Sequence, residues 1–142
     1  MAPIPENIIE LIENKLVQFP KVKFQKIPNG ISVSALTPEG FDIWVSDDGT
    51  KVTVGYAGWY QHFPDDRRQA YECFLWGLTD HCRLKVFSKG DRDYKWAAEF
   101  RRGQDWKGMG VVTDFGEILF HFWKTTHIRF LQNTTISEAE IQ

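Results

Sequence analysis

Cys73, His81 and Cys82, with His62 upstream, are the residue types that bind a soft metal or pair a thiolate with an imidazole. Their spacing argues against both. Cys73 and His81 are eight positions apart, which on one helix separates them by roughly 12 Å, too far to share a zinc ion. Cys73 lies among Phe74, Leu75 and Trp76, where burial keeps a thiol protonated and inert. Cys82 falls at the expected end of the same helix, where the carbonyl dipole disfavours a thiolate. No metal, cofactor or catalytic residue is expected from this group.

The remaining chemical motifs reduce to structure. Asp47-Asp48 and Asp65-Asp66 suit turn and capping chemistry rather than paired acid–base work. Gly103, Gly108 and Gly110 build no phosphate loop, because no GxGxxG or GxxxxGK[ST] run links a strand to a helix. Asp114-Phe115-Gly116 imitates a kinase triplet without the other kinase signatures, and reads as a hairpin turn. His121 has the unperturbed pKa of a general base, but beside Met109 on a strand face it reads as an interface residue.

Composition bounds the partners. The chain has 142 residues, 42% apolar and 25% charged, a size and balance suited to one globular domain. Aromatic residues reach 15%, with six tryptophans. That density points to large rings in a sheet core, or to an aromatic-lined pocket or interface. The formal charge of −2 gives no global basicity, yet residues 83–107 hold eight basic and four acidic side chains. Residues 1–10 lack the pattern of a signal peptide, and no window approaches ~18 apolar residues. A cytoplasmic location without a membrane span is expected, which makes the sequon Asn133-Thr134-Thr135 a chance match.

The elements that must position these residues occur in an order that repeats. Residues 5–19 place Ile8, Leu11, Ile12, Leu16 and Phe19 on one helical face. Four alternating segments follow, with breaks at Asn29-Gly30, 38–40 and 47–49. A bridge at 59–64 leads to a second helix, capped by Asp65 or Asp66 and ending near Asp80. Strands are then expected at 84–88, 94–101, 106–113 and 117–124. The fold class is α+β: two helix-plus-four-strand units, about 5–56 and 65–124, forming antiparallel meanders with the helices packed on one face. Residues 1–132 make a single domain, and 133–142 a loose polar tail. Phe19, Ile12, Phe74 and Leu78 dock the helices, over a core face of Val33, Ile43, Val54, Trp96, Phe100, Phe120 and Phe122. Whether the sheet is continuous or split at 59–64 is left open.

Three-residue loops at 90–92, 102–104 and 114–116 would set Val86 against Trp96, Phe100 against Trp106 and Ala98 against Gly108. Gly108 and Gly110 would then face Phe122 and Phe120, small against large, and Glu99 would face Lys107, Arg101 Asp105. The opposite face carries Lys85, Phe87, Lys95, Ala97, Glu99 and Arg101, then an apolar end where Val111 meets Leu119, Met109 meets His121 and Lys107 covers Trp123.

Three functions fit. The first is a non-enzymatic binding module, acting alone or as a homodimer with a protein partner or itself, through Lys107, Met109, Val111, Leu119, His121 and Trp123. The second is a pocket for a small apolar ligand, with or without catalysis, lined by Trp59, Tyr60, His62, Trp76 and His121. Single-stranded nucleic acid ranks third. Lys85, Lys95, Arg101 and Lys107 with Phe87 and Trp123 supply cations and stacking rings, against which stand the net negative charge, Glu99 and the lack of an RNP1 pattern.

Overall fold

A computed structural model describes residues 7–116, 119 and 123–137. Asn7 starts the first helix, its side chain accepting a hydrogen bond from Glu10 N at 3.1 Å, as an N-cap does. Helix α1 (Ile8–Leu16) buries Ile8, Ile12 and Leu16. Five strands follow in a meander: β1 (Phe24–Ile27), β2 (Gly30–Val33), β3 (Ile43–Asp47), β4 (Val52–Tyr56) and β5 (Trp59–Phe63). Each pairs antiparallel with the next, and the sheet order is β1-β2-β3-β4-β5.

Strand β5 replaces the expected bridge at 59–64. Tyr56 pairs with Trp59 across a two-residue turn in which Ala57 takes φ 51°. Trp59 and Phe63 point into the core and Tyr60 and His62 outward, the alternation of a strand with one buried face. The first unit thus has five strands, and the duplication does not appear.

Helix α2 (Arg67–Trp76) is capped by Asp66, which accepts from Gln69 N at 2.9 Å. It ends at Trp76, with Gly77 as its C-cap, four residues before the expected end near Asp80. There Thr79 Oγ1 donates to Trp76 O at 2.8 Å and accepts from His81 N at 3.0 Å. This turn carries His81 off the helix axis. Cys82 is therefore not a helix end but the first, buried residue of β6 (Cys82–Lys89).

The second sheet runs β8-β7-β6-β9, with β7 (Arg92–Arg102), β8 (Asp105–Thr113) and β9 (Thr126–Leu131). The sheets are separate, not one continuous surface. The fourth strand is β9, not the expected segment at 117–124, whose described residues include Leu119 in a helical turn and Trp123 in a turn. Asp114 N donates to Tyr94 O at 2.7 Å and Gly90 N to Thr125 O at 3.3 Å. The chain thus rounds the β6–β7 hairpin tip and returns as β9 on the far edge, beside β6.

Register in this sheet departs from the expected one in a definite way. Val86 does pair with Trp96. The next turn has two residues, so Arg101 pairs with Trp106, Phe100 with Lys107 and Glu99 with Gly108. A bulge then shifts the ladder between Ala97 and Glu99, with Gly110 at φ 120°, where a residue with a Cβ is strained. Glu99 pairs not with Lys107 but with Arg83, and Arg101 not with Asp105 but with Asp80. Phe122 and Phe120, the rings expected over Gly108 and Gly110, lie outside the described residues; the Trp96 indole lies instead against Gly58 of the β4–β5 turn, where an added Cβ would overlap it.

Both helices pack on the first sheet. Ile12, Ile43, Val54, Phe74, Leu84 and Ala98 are wholly buried in one cluster spanning the two sheets. Val33 and Leu78 join it, and Phe19, Trp96 and Phe100 pack against it half-buried; Phe120 and Phe122 lie outside the described residues. The tail is not loose from its start. Asn133 and Ile136 are buried, and the Asn133 amide accepts from Phe41 N and donates to Phe41 O and Gly77 O, each at 3.0 Å. Every hydrogen bond the amide offers to the core is thus used, so the sequon nitrogen is enclosed.

Candidate functional site

Two surfaces collect unusual side chains: a cleft between the sheets and the outer face of the second sheet. The cleft holds about 270 Å³ and is lined by Gln61 and Phe63 of β5, Cys73 and Trp76 of α2, His81, Phe100 and Met109 among others. At its floor the Tyr56 hydroxyl donates to Cys73 O and lies 3.4 Å from Cys73 Sγ and 3.9 Å from Cys82 Sγ. Burial, with the two thiols beside it, raises that hydroxyl far above the ordinary tyrosine range. Burial also pushes the Cys73 thiol up to about 11, leaving little thiolate near neutral pH. The His81 ring packs 4.4 Å from Trp76 and stacks 6.2 Å from Phe100, centroid to centroid. Among the described residues no group of three or more His, Cys, Asp or Glu is placed to hold a metal ion.

Of the residues expected in a pocket, Trp76 lines the cleft. Trp59 is buried on the same side of β5, and its indole N–H donates to Gly110 O at 3.2 Å across the sheets. Tyr60 and His62 project from the other side of β5, with His62 Nδ1 2.8 Å from Thr53 Oγ1. His121 lies outside the described residues.

The outer face of the second sheet follows from strand alternation. On β6 the buried residues Cys82, Leu84, Val86 and Ser88 alternate with half-buried Arg83, Lys85, Phe87 and Lys89. Arg83, Lys85 and Phe87 pair with Glu99, Ala97 and Lys95 of β7. On the other side, Lys85 and Phe87 pair with Phe130 and Ile128 of β9. Arg101 and Ala97 pair with Trp106 and Val111 of β8. These residues therefore share one face.

Rings and cations interleave on it. The Arg83 guanidinium sits 4.2 Å from the Trp106 ring and 4.3 Å from the Phe130 ring. Arg101 is 5.3 Å from Trp106. Lys85 Nζ is 5.8 Å from Phe130 and 5.1 Å from Phe87, and Lys95 Nζ is 4.7 Å from Phe87. All lie within the ~6 Å reach of cation–π attraction. The result is an unbroken alternating row: Arg101, Trp106, Arg83, Phe130, Lys85, Phe87, Lys95. Glu99 accepts from Arg83 Nε at 2.7 Å, and Asp80 lies 3.9 Å from Arg101. Lys85 and Lys95 have no carboxylate partner among the described residues. Val111, Ile128 and Phe130 are 56%, 52% and 49% exposed, so the apolar part of this face is open.

The residues expected to form an interface separate. Val111 belongs to this face, whereas the bulge turns Met109 toward the cleft. Lys107 is exposed opposite Phe100, off the cation row. Leu119 and Trp123 are 72% and 66% exposed on the connection to β9, not on a strand beside Val111. The sequence pattern on β6 and β7 already placed Lys85, Phe87, Lys95 and Arg101 together. Trp106 was missed through the one-residue register difference, and Phe130 because β9 was not anticipated. Compared with protein-family models, curated proteins and solved structures, the chain shows no match.

Proposed function

We propose that the chain is a non-enzymatic binding module whose working surface is the outer face of the second sheet. The alternating row of four cations and three rings, on a face that neither helix covers, is the observation that supports this reading. A solvated strand face mixes both charge signs; here two cations lack a carboxylate partner among the described residues, on a chain whose net charge is −2. Charged groups around an exposed apolar centre make a recognition patch. Pairing of two copies through this face would set cation against cation, which is unfavourable. An anionic partner fits better than a second copy.

The cleft is the weaker candidate. Its volume of about 270 Å³ falls short of the roughly 300–1,000 Å³ of typical ligand sites. The hydroxyl at its floor is already bonded within the chain.

Heparin chromatography near neutral pH and low salt tests the reading. Despite the sequence pI of about 6.1, the protein should be retained. The double variant Lys85→Glu/Lys95→Glu should flow through, while Lys21→Glu/Lys23→Glu, with the same charge change elsewhere, should stay bound. Flow-through of the native protein, or identical behaviour of both variants, would refute it.

A further inference from the structure

The binding-module reading gains a specific partner from the order of groups along the face. We infer that the face takes single-stranded nucleic acid, with bases on Trp106, Phe130 and Phe87 and phosphates on Lys85 and Lys95; this rests on the reading above. A polyanion alone would need only the cations. A single strand alternates an anionic phosphate with a planar base, and the row alternates a cation with a ring in the same way. Phe130 is 49% exposed and Ile128 beside it 52%, leaving apolar surface that a base can cover. An open antiparallel sheet is a common platform for such stacking. A duplex keeps its bases inside the stack and cannot use the rings.

The negative net charge does not oppose this. Glu99, Asp80 and Asp93 face Arg83, Arg101 and Arg129, so among the described residues no carboxylate is paired with Lys85 or Lys95. Arg83, held by Glu99 at 2.7 Å, acts as a positioning residue that spaces Trp106 from Phe130. No side chain in the row is set to read a particular base edge, so binding is indifferent to sequence.

Fluorescence anisotropy of a labelled oligothymidine dodecamer against the full chain tests the inference. The single strand should bind, and its duplex with oligoadenosine should bind at least about tenfold more weakly. Phe87→Ala and Phe130→Ala should each weaken single-strand binding about tenfold and leave heparin retention unchanged. Phe87→Tyr and Phe130→Tyr, which keep the ring, should restore it. Log affinity should fall with log salt with a slope of about −1.4, as for two phosphates on a single strand. Heparin retention without oligothymidine binding would overturn this inference and leave the face as a site for another polyanion, such as an acidic peptide. Loss of both would overturn the binding-module reading as well. Equal binding of single strand and duplex, or ring variants without effect, would also overturn the assignment.

Discussion

The two sheets use similar strands to different ends. In β4 all five residues are buried: Val52, Val54 and Tyr56 face the helices, while Gly55 lies under the Trp44 ring. That indole lies against the strand and donates to Ala57 O at 3.4 Å, so the first sheet covers the outer side of β4 with a neutral ring of its own. In β6 buried and half-buried residues alternate along the whole strand. Its outer positions carry cations whose stems and rings stand above the sheet. A strand covered on both sides serves stability. One covered on a single side leaves the other open to solvent, and in the second sheet that open side carries Lys85 and Lys95, which have no carboxylate partner among the described residues.

The comparison breaks first in the core. Phe74, wholly buried on the inner side of α2, should cost about 4 kcal/mol when replaced by alanine, read from urea unfolding by circular dichroism. Asn133→Ala removes three hydrogen bonds between the tail, Phe41 and Gly77. With those groups left unsatisfied, the loss should be roughly 2 kcal/mol. It should appear as one cooperative transition, because the amide ties the first sheet's layer to the segment after β9; two separate transitions would make the sheets independent units.

Asp47→Asn comes next, at about 1 kcal/mol. The Arg67 guanidinium, 2.5 Å from its carboxylate, holds the Asp47 pKa below the usual aspartate value. Stability from this pair is therefore complete above the unfolded-state pKa of about 4 and lost as pH falls through the lower folded value. Melting curves of native protein and variant should differ at pH 6 and draw together as pH falls below the ordinary aspartate value of about 4; a constant gap would assign the effect to something other than ionisation. The smallest change is expected from Phe130→Ala, under about 1 kcal/mol, since half of the ring is in solvent. Should it approach the cost at Phe74, the outer face would be core and the contrast would fail.

Local patterns carried much of this fold. The spacing of Ile8, Ile12 and Leu16 made α1 plain, and alternation on β6 and β7 set four residues of the cation row on one face before any tertiary information. What failed depended on partners distant in sequence. Ala57 gave no turn signal, because alanine seldom takes positive φ, so β5 read as a linker. The aromatic run near Leu119 looked more strand-like than Thr126–Leu131, and only the vacant edge of β6 decides between them. The one-residue difference in β7–β8 comes from a two-residue turn and a bulge at Gly110 that composition does not mark. The cleft joins Gln61, Cys73, His81, Phe100 and Met109 from five separate segments, a grouping that no linear spacing encodes.

The Asn133 clip also has a consequence for how the chain is made. Its amide reaches back 92 positions to Phe41, and β9 takes its place beside β6 only after β7 and β8 have been synthesised. Until the ribosome has released Ile136, the far edge of β6 and the end of α2 lack their native neighbours. The first sheet can form while translation continues, since its strands pair in order. The second sheet must wait with an open edge, so a pause late in translation prolongs the period when this chain is most exposed to aggregation or to a chaperone.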